Sequence, residues 1–188
     1  EHLDKKGQAE NTIVIFQSDH GHSVEERTFG GGGDAGPYRG HKGNFFEGGL
    51  RVPSIVRWPD KLPAGAVREQ FVTGCDWYPT LMEGWGGELI DGAQKIDGKS
   101  IAGLTAEGGE SPHESFFWTF AYRKNKAGEN TSPWALRQGD WKLLGYTKDQ
   151  RDPESLSEED KKLFLANLAD DIGETTNVAK EQPEVVER

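Results

Sequence analysis

The sequence predicts an α/β part followed by a small antiparallel β part with a helix. A continuous apolar run at Ile13–Phe16, rich in β-branched residues, is typical of a strand buried on both faces of a parallel sheet. Much later, Trp134–Arg137 and Trp141–Leu144 flank the turn residues Gln138-Gly139-Asp140, which predicts an antiparallel hairpin. The change of pattern between these places predicts two domains, at residues 1–104 and 105–188.

The other elements of the α/β part follow in chain order. The first residues read as the end of a helix that Gly7 stops. A second strand is predicted at Arg51–Pro59, with prolines that limit its edges. Asp76–Glu83 predicts a short helix, for which Asp76 is a candidate N-cap.

The later part begins after a Gly- and Glu-rich stretch, Thr105–Ser111, that is typical of a linker. Ser115–Tyr122 is rich in aromatic residues and predicts a strand. Ser157-Glu-Glu-Asp160 resembles the start of a helix, and Pro183–Arg188 reads as the first turn of another.

Composition excludes several classes of protein. The 188 residues carry 22 Lys and Arg against 32 Asp and Glu, a formal charge of −10, which argues against binding to nucleic acid or to an anionic membrane. No apolar run approaches the ~20 residues of a membrane span. The single cysteine, Cys75, excludes an internal disulfide, and a buried structural thiol is favoured over a nucleophile. The first residues carry no targeting signal, and we expect the chain to start inside a larger protein.

Glycine is abundant, with 25 residues, and nine of them fall between Gly30 and Gly49. Phe, Tyr and charged residues are interleaved with these nine glycines. Since disordered linkers are poor in aromatic residues, an ordered loop whose backbone comes close to something is favoured over disorder.

Asp19 and His20 directly follow the first predicted strand. Ligands usually sit at this end of strands in open α/β sheets, and a carboxylate with an imidazole can bind a divalent cation. The alternative is that Asp19 caps a turn while His22 is merely exposed. Two ligands do not make a metal site, so further ligands must come from elsewhere.

Lys42 lies in the glycine loop, where little side-chain bulk surrounds it. A lysine in such a place suits an anionic group that the backbone can approach closely. The alternative is an ordinary solvated lysine. Glu47 and Arg51, four residues apart, are expected to form a structural ion pair.

Taken together, the segments resemble the C-terminal half of a type I, formylglycine-dependent sulfatase of the alkaline-phosphatase-like superfamily. The resemblance covers the chain in family order. Its most specific blocks are Asn11-Thr-Ile-Val-Ile-Phe-Gln-Ser-Asp-His-Gly21 and Gly40-His-Lys-Gly-Asn-Phe-Phe-Glu-Gly-Gly-Leu-Arg-Val-Pro53. Weaker blocks are Asp76–Leu81, Asp97-Gly98, Ala135–Leu143 and Asn167–Asn177.

The resemblance implies the C-terminal part of an alkaline-phosphatase-like mixed sheet flanked by helices. It also implies that Asp19 and His20 are ligands of one calcium ion and that Lys42 contacts the sulfate group as the S–O bond breaks. His22, Arg39 and His41 lie beside these positions and are candidate substrate contacts. The form of the glycine loop is similar to that of sulfatases acting on carbohydrates, so a sulfated small molecule or polysaccharide is the expected substrate.

One departure from the family pattern limits these expectations. The family nucleophile is a Cys or Ser in Cys/Ser-x-Pro/Ala-x-Arg, oxidised to formylglycine, and no such motif occurs here, since Cys75 precedes Asp-Trp-Tyr-Pro. We therefore expect the N-terminal half of the protein to be the partner of this chain, which is expected to be inactive alone. Family habit implies a periplasmic or secreted location.

Two alternatives stay open. In zinc phosphoesterases or phosphonate hydrolases of the same superfamily, Asp-His-Gly-x-His binds zinc, and Asp19–His22 has that form. The missing nucleophile instead favours a non-catalytic fragment that serves as a structural or carbohydrate-binding module. The block from Gly40 to Pro53 argues for a sulfatase.

Overall fold

The computed structural model describes residues 1–26, 29–87, 95–120, 122–149, 152 and 154–188. They form two compact units, one of Glu1–Gln17 with Ser54–Glu114 and one of Ser18–Pro53 with Ser115–Arg188. Neither unit is continuous in sequence, because the segment Ser18–Pro53 packs with the C-terminal segment Ser115–Arg188. Compact units and sequence domains are different divisions, so the predicted boundary at residue 104 stays a prediction.

The first unit combines a two-stranded sheet with short helices. Strands β1 (Val14–Gln17) and β2 (Ser54–Arg57) pair antiparallel, with Val14 opposite Arg57 and Gln17 opposite Ser54. The elements are α1 (His2–Lys5), β1 (Val14–Gln17), β2 (Ser54–Arg57), a 3-10 turn (Gly74–Asp76), α3 (Trp77–Pro79), a π-helical turn (Thr80–Gly84) and α4 (Ala102–Glu107). Helix α2 (Glu47–Leu50) belongs to the second unit. The mixed α/β class with antiparallel sheets agrees with the predicted class.

The predicted environment of the first strand was wrong. The strand is present, but its partner in this chain runs antiparallel, and Phe16 and Ile55 are 67% and 62% exposed. A run of β-branched residues favours extended backbone and does not specify the direction of the neighbouring strand. The prediction of a doubly buried, parallel strand therefore does not hold for β1.

The helical segment predicted at Asp76–Glu83 is confirmed, and Asp76 stands at the N-cap position of α3 but makes no side-chain cap bond to that helix. Thr73 is the N-cap of the preceding 3-10 turn, and Asp76 completes a capping box there by accepting a hydrogen bond from the Thr73 backbone N–H at 2.7 Å. The carboxylate of Asp76 is fully buried and also accepts from the backbone N–H of Lys99 and pairs with His113 Nε2, each at 2.8 Å. Cys75 is exposed, which corrects the expectation of a buried thiol.

The second unit is built on a four-stranded antiparallel sheet whose strands are neighbours in chain order. The predicted hairpin is confirmed, and Gly139 in its turn has φ +58°, a conformation that favours glycine. The strands are β3 (Ser115–Thr119), β4 (Trp134–Gln138), β5 (Trp141–Gly145) and β6 (Leu163–Asn167). The predicted linker Thr105–Ser111 instead begins inside α4.

Both predicted helix starts in this part of the chain are confirmed. Helix α5 (Glu158–Lys162) has a capping box formed by Ser157 and Asp160, and α6 (Pro183–Glu187) begins with proline in its first turn. These signals are local, so the sequence alone was sufficient to find them. Among the described residues, no helix has the length and apolar character that crossing a bilayer requires.

One face of the four-stranded sheet forms the core of the second unit. Ala135, Leu144 and Phe164 point to this face and are at most 2% exposed. They pack in one cluster with the residues just before α2, Phe45 and Phe46. The segment that precedes α2 is therefore fixed to the sheet by apolar packing.

A buried cluster of charges lies on the same face of the sheet. Lys142, on β5, is completely buried, and its Nζ lies 2.8 Å from Glu47 Oε1 and 3.0 Å from Glu174 Oε1. Glu174 also accepts a hydrogen bond from the backbone N–H of Glu47 at 2.5 Å. Arg51 and Arg137 each lie 3.8 Å from Glu47, so the expected pair of Glu47 with Arg51 is one part of a larger network.

The two carboxylates of this cluster are shifted in opposite directions. Burial alone raises the pKa of Glu47, but the charge and hydrogen bond of Lys142, with Arg137 and Arg51, outweigh it and leave that pKa below its ordinary value. Burial raises the pKa of Glu174, and Lys142 offsets only part of that effect. Lys142 therefore stabilises mainly the ionised form of Glu47.

These opposite shifts predict opposite pH signatures for two matched variants. Ionised Glu47 stabilises the fold above its ordinary pKa of about 4.5, and this contribution is lost as the pH falls through its lowered pKa. The contribution of Glu174 is complete below about pH 4.5 and is lost as the pH rises through its raised pKa. At pH 7 we expect Glu47→Gln to lower the free energy of unfolding by roughly 3 kcal/mol and Glu174→Gln to lower it less. Urea unfolding at several pH values measures both losses. Equal losses at pH 7, or a difference that widens toward pH 4, would contradict the assignment.

Candidate active site

The predicted site residues lie on two segments of the second unit. One segment follows β1, and the other is the glycine loop that leads into α2. All six residues belong to this one unit: Asp19, His20, His22, Arg39, His41 and Lys42. The structure therefore brings together, within a single compact unit, residues that the sequence placed in two separate blocks.

Backbone hydrogen bonds join the two segments to each other and to α2. The N–H of Lys42 donates to the carbonyl of His22 at 3.0 Å, and the N–H of Gly21 donates to the carbonyl of Gly49 at 3.0 Å. A Cβ on Gly21 would lie 1.8 Å from the carbonyl oxygen of Gly48, so only glycine permits this approach. The expected close backbone approach of the glycine loop is confirmed at Gly48, where a Cβ would lie 2.4 Å from the Gly40 carbonyl oxygen.

Asp19 and His20 present two adjacent donor atoms. The side chain of Asp19 is 83% exposed, and its Oδ2 lies 3.2 Å from His20 Nε2. His20 Nδ1 lies 2.8 Å from the carbonyl of Gly21, and because a carbonyl can only accept, the proton is on Nδ1. Nε2 faces the carboxylate of Asp19, a geometry that suits an ion pair with the protonated ring and equally a cation shared between the two side chains.

This pair is an incomplete ligand set for a metal. No group of three or more His, Cys, Asp or Glu side chains placed to hold a metal occurs in the described part of the chain. A calcium ion takes six to eight oxygen ligands, so Asp19 and His20 fit such an ion only as contributors. Their role as ligands stays a prediction.

Lys42 is half-buried and forms an ion pair. Its Nζ donates to Glu25 Oε2 at 3.2 Å, and the side chains of Lys42 and Glu25 are 31% and 39% exposed. An ammonium group carries three donors, and Glu25 engages one of them. The lysine is thus held at one point while part of its surface stays accessible to a ligand.

His22 and His41, the two histidines predicted to contact substrate, lie beside the backbone of Lys42. His41 is 1% exposed, and its Nδ1 donates to the carbonyl of Lys42 at 2.8 Å. His22 accepts the Lys42 N–H through its own carbonyl, and its ring lies 6.2 Å from that of His41 in an edge-to-face arrangement. Both residues therefore support the Lys42 loop, and their contacts with substrate stay predictions.

Arg39 is largely occupied by partners from the C-terminal part of the chain. Its Nε donates to Asp149 Oδ2 at 2.9 Å and its Nη1 to the carbonyl of Glu174 at 3.1 Å, while Nη2 bonds to Ser155 Oγ. The guanidinium also stacks over Phe46, 4.5 Å from the ring centre. Arg39 therefore anchors the loop. It also lines a cavity of about 370 Å³, and its contact with substrate stays a prediction.

Sequence reasoning missed three residues of this region: Glu25, Lys142 and Glu174. Glu25 stands in a polar loop, where a single carboxylate carries no recognisable signature. Lys142 did carry a signal, because the two-residue period of β5 places it on the same face as the buried Leu144. Its partners Glu47 and Glu174 lie 95 and 32 residues away in the chain, so a pattern of neighbouring residues cannot predict these pairs.

Comparisons with known proteins show which proteins this chain is similar to. The family model described as Sulfatase matches residues 1–86. A sulfatase of Formosa agariphila is 35% identical over 94% of this chain, which spans 30% of the length of that relative. The chain thus covers less than a third of that protein.

Solved structures show the same similarity. A Bacteroides thetaiotaomicron protein, labelled 6S-sulf and described in connection with glycosaminoglycan metabolism, matches 98% of this chain and 38% of its own length, with a TM-score of 0.72 and 26% identity. A phosphonate monoester hydrolase of Agrobacterium radiobacter matches 99% of this chain and 34% of its own length, with a TM-score of 0.64 and 26% identity.

The close approach at Gly21 predicts the effect of a single methyl group. In Gly21→Ala the new Cβ would clash with the carbonyl oxygen of Gly48. The hydrogen bond from the backbone N–H of residue 21 to the Gly49 carbonyl must then lengthen, and we expect the free energy of unfolding to fall by about 1–3 kcal/mol. Gly103→Ala is the matched control, because that helical position has open space around it and alanine favours helix. Urea unfolding measures both variants, and equal stabilities would refute the role of Gly21.

Proposed function

The chain belongs to the sulfatase family of the alkaline-phosphatase-like superfamily, and from this premise we propose that it supplies part of the active site of a sulfuric ester hydrolase. The observation that carries the proposal is the hydrogen bond from the Lys42 N–H to the carbonyl of His22. It keeps an accessible ammonium group on the same framework as the Asp19 and His20 pair. The ammonium group, which attracts an anion, and the pair proposed to hold a cation thus belong to one compact unit.

Lys42 contacts the sulfate group in this proposal. As the S–O bond of a sulfate ester breaks, negative charge builds up on the leaving oxygen and is spread over the other sulfuryl oxygens. An ammonium group fixed beside these oxygens stabilises that charge better than water does, because it needs no reorientation. Two of the three Nζ donors remain for the ester while Glu25 holds the third.

Asp19 and His20 are proposed as metal ligands. Their two donor atoms, 3.2 Å apart, provide the carboxylate oxygen and imidazole nitrogen that such an ion accepts. A bound divalent cation would supply Lewis-acid polarisation of a sulfate oxygen. The remaining ligands are proposed to come from the N-terminal half of the enzyme.

The attacking nucleophile is proposed to come from that same half. None of the 188 residues forms the Cys/Ser-x-Pro/Ala-x-Arg motif that becomes formylglycine, so this chain alone is proposed to be inactive. The substrate is proposed to be a sulfated carbohydrate, which agrees with the similarity to a protein described in connection with glycosaminoglycan metabolism. A periplasmic or secreted location stays a prediction.

A second candidate function is phosphonate or phosphate ester hydrolysis with zinc. Two observations favour it, the Asp19-His20-Gly21-x-His22 segment and the similarity to a phosphonate monoester hydrolase. Imidazole suits zinc better than calcium, whereas amide oxygen suits calcium. The two functions are therefore separable by the metal.

Replacing Lys42 tests the proposed chemistry directly. In the full-length enzyme we expect Lys42→Ala to lower kcat for a chromogenic aryl sulfate by at least about 100-fold, because the developing charge loses a fixed donor. Lys180→Ala is the matched control, since that lysine is exposed and pairs only at the surface, with Glu159. The isolated 188-residue chain should show no turnover. A wild-type kcat in Lys42→Ala would reject the role of Lys42. Hydrolysis by the isolated chain would reject its proposed inactivity.

Metal analysis distinguishes the two candidate functions. We expect the purified full-length protein to contain calcium, Asp19→Ala to lose it, and His20→Asn to keep it, because an amide oxygen replaces the imidazole. Elemental analysis by mass spectrometry measures each ratio of metal to protein. Paired zinc in the wild type, lost in His20→Asn, would support the phosphonate or phosphate ester hydrolase instead.

A further inference from the structure

We propose that Glu25 is a positioning residue that orients the ammonium group of Lys42 toward the substrate. The inference rests on the proposed function of Lys42 and adds a residue that carried no signal in the sequence. Glu25 does not touch the substrate in this proposal. It acts through Lys42, whose Nζ it holds at 3.2 Å.

The backbones of both residues are fixed near each other. The Lys42 N–H donates to the carbonyl of His22, three residues before Glu25. The Glu25 N–H approaches Ser23 Oγ at 3.4 Å, and Ser23 pairs with Gly32 in an antiparallel bridge. At the neighbouring Gly31, a Cβ would lie 1.5 Å from the Ser23 carbonyl oxygen, so this strand-like contact is tight. The ion pair therefore joins two loops that already lie side by side.

This attachment distinguishes the pair from an ordinary surface salt bridge. Exposed pairs contribute little, because two long side chains lose conformational freedom and water screens the charges. Here both side chains are about two-thirds buried, and their backbones are held in place before the pair forms. Less freedom is lost on pairing, and the pair can define where Nζ points.

The chemistry of lysine makes such an orienting partner useful. Its charge sits at the end of a flexible four-carbon stem, and a misplacement of about 1 Å can cost 100-fold in rate. One Nζ donor bound to Glu25 fixes the group, and two donors remain for sulfuryl oxygens. What is required of Glu25 is an acceptor oxygen in the right place, so a neutral amide at residue 25 should fulfil the same role.

The test compares variants of residue 25 in the full-length enzyme with an aryl sulfate substrate. We expect Glu25→Ala to lower kcat about tenfold while KM changes less than threefold, because an unoriented ammonium still attracts the anion. Glu25→Gln should restore kcat to within threefold of the wild type. Glu159→Ala, which removes the exposed partner of Lys180, is the control and should leave kcat unchanged.

Coupling to Lys42 separates positioning from a general effect on folding. With Lys42 already replaced by alanine, Glu25→Ala should lower the residual kcat no further. A wild-type kcat in Glu25→Ala, a failure of Glu25→Gln to restore it, or a full additional loss in the Lys42→Ala background would overturn the inference. If Lys42→Ala itself retains the wild-type kcat, the proposed function fails. If Lys42→Ala is inactive and Glu25→Ala is fully active, only the role of Glu25 fails.

Discussion

The second unit depends on the buried ammonium group of Lys142. It lies between Glu47 and Glu174, and all three side chains are at most 4% exposed. Charges without a partner at such a position would cost several kcal/mol, so each of the three groups requires the others. Because Glu47 is the first residue of α2, the cluster fixes this helix. Both site segments form backbone hydrogen bonds with residues of α2.

The cluster also explains why distant parts of the sequence belong together. Glu47, Lys142 and Glu174 lie in three of the separate blocks that resemble sulfatases. Read along the chain, these blocks look like independent signatures of different elements. In the folded unit they meet at one point, and the loop before α2 is tied to the same C-terminal part through Arg39, Asp149 and Ser155.

Local signals in the sequence predicted local structure well. The turn at Gly139, the capping box of Ser157 with Asp160 and the proline start of α6 depend on neighbours within a few residues, and the structure has all three. The sequence did not predict the direction of β2 relative to β1, the partners of Arg39 or the burial of Lys142, which depend on residues far away in the chain. Asp19, His20 and Lys42 were candidates because of their places after the first strand and in the glycine loop, a family resemblance gave them expected roles, and the structure adds how their loops are joined.

The separation of these partners along the chain has a consequence for biosynthesis. Glu47 bonds to Glu174, 127 residues later, and Arg39 bonds to the carbonyl of the same residue. At about 5–20 residues per second, a ribosome needs on the order of ten seconds to reach Glu174 after it has made Glu47. During that interval the nascent glycine loop has Glu25 and Phe46 as partners, but its C-terminal partners Asp149 and Glu174 have not both been made. The glycine loop thus acquires these contacts only after Glu174 has been made and has left the ribosome.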